Sequence, residues 1–83
     1  MTAEQIRDAE QVLRVTYLPI LRANVGEDWR TRADVSELLA DLLARMADGV
    51  ETLELSGFDP AELEMPEYQA LAALVEKING AHQ

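Results

Sequence analysis

The stretch GFDPAELEMPEY, residues 57 to 68, gathers the carboxylates Asp59, Glu62, Glu64 and Glu67 around two prolines. Carboxylates at this density can exchange protons, hold a hard cation, or present negative charge to a partner. Proton exchange needs a positioned base and a group that orients it. The one histidine, His82, is the penultimate residue, where chains fray, and it reads as a solvated tail residue. No cysteine is present, which removes thiol nucleophiles, cysteine-ligated zinc and a disulfide framework together. A carboxylate-bridged di-iron bundle needs Glu-x-x-His on two helices, and a calcium loop needs acids at alternate positions about a central glycine; the chain has neither. Glu51, Glu54, Glu62, Glu64 and Glu67 attract calcium or magnesium only weakly, and no glycine-rich phosphate loop occurs. The expectation is a protein without catalytic residues, cofactor or metal site, and not an enzyme.

Overlapping that stretch and starting one residue earlier, SGFDPAEL loosely resembles the Gly-x-Asp-Ser-Leu motif of acyl and peptidyl carrier proteins, which are also small, acidic and helical. Pro60 stands where the serine that carries the phosphopantetheine arm belongs, and Ser56 precedes the glycine. Without that hydroxyl the arm has no attachment point, and the family is set aside.

What is left is surface. The net charge of −9 is unevenly spread. Up to residue 32, Glu4, Asp8, Glu10, Glu27 and Asp28 are balanced by Arg7, Arg14, Arg22, Arg30 and Arg32; beyond it only Arg45 and Lys77 oppose the remaining carboxylates. Such a half repels nucleic acid and anionic lipid and attracts a basic partner. The start, MTAEQIRDAE, lacks basic and apolar leader regions, and no apolar run reaches the roughly 18 residues of a membrane span, so a soluble, cytoplasmic protein is expected.

The elements that must position this surface are helical. With 83 residues, 48% of them hydrophobic, one domain with a small core is expected. Thr2 and Gln5 have the spacing of a capping box, which predicts a helix from about residue 3. Its apolar stripe is Ile6, Ala9, Val12, Leu13, Tyr17, Ile20 and Leu21, and it passes through Pro19, which predicts a kink near residues 15 to 19 or two helices sharing one buried face. Gly26 supplies a stop, GEDWRTRAD reads as a loop, and Thr31 or, better, Asp34 with Glu37 caps the central helix. That helix carries Val35, Leu38, Leu39, Leu42, Leu43, Met46, Val50 and Leu53 as its expected core stripe, running past Gly49 to about residue 53. Gly57 ends it; Asp59, Pro60 and Glu62 start a short extra turn over 60–64. Pro66 opens the last helix, with Tyr68, Leu71, Leu74, Val75 and Ile78 as its stripe and Gly80 as its end. The fold expected is all-α, a small bundle of three main helices with the first kinked at Pro19.

On the central helix Glu37, Asp41 and Asp48 share one side, flanked by Asp34 and Glu51, with only Arg45 interrupting, spaced to pair with Asp41. With Glu62, Glu64 and Glu67 they form the expected partner-binding face. Val15 and Leu18, with Trp29, are a second, apolar candidate, and Ala70, Ala72 and Ala73 leave a flank where another helix can approach. The leading expectation is an acidic protein-binding module that presents carboxylates in place of phosphates to the nucleic-acid groove of a partner protein. In size and charge it resembles phage-encoded inhibitors of restriction, CRISPR or transcription machinery. The alternative is a helical homodimer, an adaptor whose acidity only keeps it soluble.

Overall fold

The computed structural model describes all residues except Pro60, Ala61, Leu63 and Gln83. Among the described residues there is no strand: α1 (Ala3–Val12), a π-helical turn (Leu13–Tyr17), α2 (Leu18–Ala23), α3 (Glu27–Leu55) and α4 (Pro66–His82) account for the secondary structure, apart from an isolated single turn at Glu62.

The first helix starts where its caps put it. Thr2 Oγ1 accepts from the Gln5 amide at 3.2 Å and Gln5 Oε1 accepts from the Thr2 amide at 2.8 Å, so two orphan amides are satisfied reciprocally. A third, that of Ala3, donates to Glu54 Oε1 on α3 at 2.7 Å, so a carboxylate from the partner helix sits at the positive end of α1.

Pro19 does not break this arm. The chain widens into the π turn just before it, with the Leu18 amide donating to Leu13 O five residues back. A wider turn relieves the clash of the proline ring with the carbonyl four residues back. It also costs one residue of phase. Up to the first residue of the turn the core receives Ile6, Ala9, Val12 and Leu13, as the periodicity predicts, together with Ala3; after it Leu18 is buried (8% exposed), Leu21 is half-buried, and Ile20, expected inside, is 57% exposed. Leu18 therefore belongs to the core, and its expected place in an exposed apolar patch is corrected.

The long helix α3 begins earlier than expected. No breaker separates Gly26 from Gly49, and Glu27 and Asp28 lie in the first turn where the helix dipole favours them, so GEDWRTRAD is helix from Glu27 onward and neither Thr31 nor Asp34 caps it. It runs unbroken through Gly49 for 29 residues, about 43 Å at 1.5 Å per residue. Its end is a Schellman motif at Gly57 (φ 79°): the Gly57 amide donates to Glu54 O at 3.0 Å and the Phe58 amide to Leu53 O at 3.0 Å. The short turn expected at 60–64 falls largely on residues outside those described; the Glu62 amide donates to Asp59 O at 3.0 Å.

The arm of α1, π turn and α2 lies antiparallel along α3, and α4 docks on α1. Tyr68 donates its hydroxyl to Met1 O at 3.0 Å and Asn79 Nδ2 donates to Gln5 O at 3.1 Å, which fix α4 beside the N-terminal part of α1. Tyr68, Leu71, Val75 and Ile78 enter the core from α4, with Leu74 half-buried beside them. α4 therefore covers one end of the α1–α3 pair, and the other end, from the π turn to the start of α3, remains a two-helix layer.

The orientation of α3 departs most from expectation. Its buried residues are Ala33, Ala40, Leu43, Ala47 and Val50, whereas Val35, Leu38 and Leu42 are exposed. Ala33, Ala40 and Ala47 recur every seventh residue and meet an arm that itself buries Ala3 and Ala9. Small side chains on both sides let two backbones approach closely and bring Leu43 and Ile6, both 0% exposed, into full contact with the core. Of the expected stripe, Leu43 and Val50 are buried and Leu39, Met46 and Leu53 half-buried, while Val35, Leu38 and Leu42 are rotated outward.

Candidate partner-binding surfaces

Three arginines follow one another along the first arm, Arg7 on α1, Arg14 in the π turn and Arg22 on α2. Because α3 runs antiparallel, their numbers rise as those of the facing acids fall. Arg7 Nη2 holds Asp48 at 3.0 Å and also bonds Glu51. Arg14 holds Asp41 at 2.7 Å through Nη2 and Glu10 at 2.8 Å through Nε. Arg22 bonds Glu37 and reaches Asp34 at 4.0 Å. The two most strongly engaged guanidiniums respond accordingly: the hydrogen bonds Arg7 donates to Asp48 and then to Glu51 raise its pKa, and those Arg14 donates to Asp41 and then to Glu10 raise its own.

The α3 carboxylates expected to face a partner, Glu37, Asp41, Asp48 and Glu51, are thus the outer rim of the seam between the first arm and α3. Asp41 is held by Arg14 rather than by Arg45, the neighbour its spacing suggested. All of these groups remain in contact with water, so each pair adds little to stability on its own; their joint effect is to set register and to cancel local charge. Wheel patterns on one helix do not reveal this. The signal lay in the seven- and eight-residue spacing of Arg7, Arg14 and Arg22 on the other.

Glu62, Glu64 and Glu67, the second acidic group, are exposed and make no ion pair among the described residues. Asp59 and Glu54 act on the neighbouring Tyr68: burial first, then these two negative charges, push its phenol pKa above the ordinary 10.0.

Of the apolar candidates, Val15 is exposed beside a shallow open groove formed with Gln11, Val12, Thr16 and Asn79. Trp29 is half-buried in the first turns of α3, with Arg32 Cζ 4.7 Å from its ring centroid, a cation–π contact that shields one face of the indole. Ala70 and Ala73 are exposed and Ala72 half-buried.

The surface that sequence reasoning missed is the outward side of α3. Val35, Leu38 and Leu42 fall at i, i+3 and i+7 and so share a face; they are 58%, 67% and 45% exposed, and Leu39 and Met46 lie half-buried along its edge. Hydropathy ranks leucine above alanine and so assigns a leucine stripe of this kind to the core. The heptad of alanines was the available sign that another side faces inward.

Among the described residues no polar or charged side chain is buried, no group of three potential metal ligands is assembled, and no helix is long and apolar enough to cross a membrane. Comparison with protein-family models, with curated proteins and with solved structures returns no match.

Proposed function

We propose that this protein is a non-enzymatic protein-binding module whose contact face is the leucine-bearing side of α3. One observation carries the reading: Val35, Leu38 and Leu42 stand exposed in helical register on a helix whose inward side is Ala33, Ala40, Leu43, Ala47 and Val50. In a chain with few residues to spare for its core, leaving about half of each such side chain in water costs on the order of 1 kcal/mol each relative to burial, a cost that a covering partner recovers. Helix-in-groove and helix-on-helix recognition both read anchors at this spacing.

The acidity has a different part in this reading from the one the sequence suggested. Carboxylates standing in for phosphates must be free to meet a basic groove, and Glu37, Asp41, Asp48 and Glu51 already share Arg7, Arg14 and Arg22. Their charge, with that of Glu62, Glu64 and Glu67, keeps the module soluble in a cysteine-free chain suited to the cytoplasm and steers it away from nucleic acid and anionic membrane.

A photo-crosslinking residue placed singly at Leu38, Leu42, Asp48 or Glu76 in cells tests the assignment. Adducts from the first two positions and none from the others are expected. Adducts confined to Asp48, or absent throughout, refute it.

A further inference from the structure

The charges at the two ends of the exposed stripe are opposite and unused. Asp28, one heptad before Val35, and Arg45, one heptad after Leu38, lie on the same side of α3 as the stripe, and neither makes an ion pair among the described residues. Between them the face reads Asp28, Thr31, Val35, Leu38, Leu42, Arg45 at alternating steps of three and four, the spacing of a helix–helix seam.

We propose that the occupant of this face is α3 of a second copy of the chain, lying antiparallel, an inference that rests on the face being a contact surface at all. In the antiparallel register that sets Val35 against the partner copy's Leu38, Leu42 meets Thr31 and Arg45 meets Asp28, so the seam closes with an ion pair at each end. The same operation applied twice returns the first copy, so the interface is self-complementary and closed. A parallel pair would set Arg45 on Arg45 and Asp28 on Asp28. Sliding the antiparallel pair by one heptad would set Arg45 against Val35. Charge selects one arrangement out of these three.

The size of the seam sets the strength. From Asp28 to Arg45 it spans about 26 Å at 1.5 Å per residue, a single helix-on-helix contact. That is smaller than the roughly 800 Å² per partner of a standard stable interface. The dimer is therefore weak and reversible, and the solution at low concentration is monomeric.

Sedimentation equilibrium over a concentration series tests this, with circular dichroism confirming that each variant folds. The wild type is expected to pass from monomer to dimer and Leu38→Glu with Leu42→Glu to remain monomeric. Arg45→Asp or Asp28→Arg alone is expected to weaken the dimer about tenfold, and the two together to restore it to within about twofold. A wild type that stays monomeric throughout overturns the second copy as occupant; the photo-crosslinking pattern then decides separately whether the face binds another protein. A dimer that survives both leucine changes, or a double charge swap no better than either single one, also overturns the proposal.

Discussion

Arg14 Nη2 lies 2.7 Å from Asp41 Oδ1 across the seam between the π turn and α3, while its Nε holds Glu10 at 2.8 Å on its own arm. One guanidinium thus fastens two helices and orients itself with an acid one turn away. Arg14→Ala is expected to lower stability by about 0.5–1 kcal/mol, a partly exposed pair being worth no more, and the difference should shrink as salt screens the pair. Urea denaturation at low and high ionic strength measures both; an effect that is large or indifferent to salt would mean that Arg14 acts through packing instead.

Leu42 and Leu43 are neighbours in sequence with opposite environments, one 45% exposed and the other fully buried. Leu43→Ala is expected to cost about 3 kcal/mol, a large part of the stability of so small a domain, and Leu42→Ala no more than about 0.5 kcal/mol. Chemical denaturation of the monomer compares them. Equal costs would contradict the rotation of α3.

The π turn makes the same kind of statement about the first arm. Leu18→Ala should cost about 2 kcal/mol and Ile20→Ala under about 1 kcal/mol, the reverse of what an uninterrupted helical wheel through Pro19 implies. If Ile20 proves the costlier of the two, the extra residue is not accommodated where the structure has it.

Tyr68 gives a pH dependence whose sign follows from its environment. Burial, with the charges of Asp59 and Glu54, holds its folded pKa above the 10.0 of an exposed phenol. The unfolded chain therefore loses this proton first as pH rises, so the contribution to stability is complete below pH 10 and is lost as pH climbs through the higher folded value. Thermal denaturation of wild type and Tyr68→Phe across this range should show a steeper decline in the wild type. Parallel curves would mean that the phenol is not sheltered.

Local signals were legible from sequence. The Thr2–Gln5 box, the stop at Gly57 and the stripe of α4 appear in the structure as expected, because each depends on a few consecutive residues and on backbone groups that must find partners. The start of α3 was obscured because Trp29, Arg30, Thr31 and Arg32 read as a loop only by lacking an apolar period, and nothing among them breaks a helix. The π turn displaced every later residue of the first arm by one step, which a fixed 100° wheel cannot register. The candidate site was least legible. Which side of α3 faces inward is set by how closely the first arm can approach Ala33, Ala40 and Ala47, and where its acids go is set by arginines along that arm; both depend on tertiary pairing.

The central claim is that α3 turns its alanines and Leu43 inward and leaves Val35, Leu38 and Leu42 to meet a partner. Methyl NMR of the dilute protein with a soluble paramagnetic agent tests it directly. The account predicts strong relaxation of the Val35, Leu38 and Leu42 methyls and little at Ala40, Leu43 and Ala47. Protected Leu38 and Leu42 methyls beside relaxed alanines, at concentrations where the chain is monomeric, would contradict it.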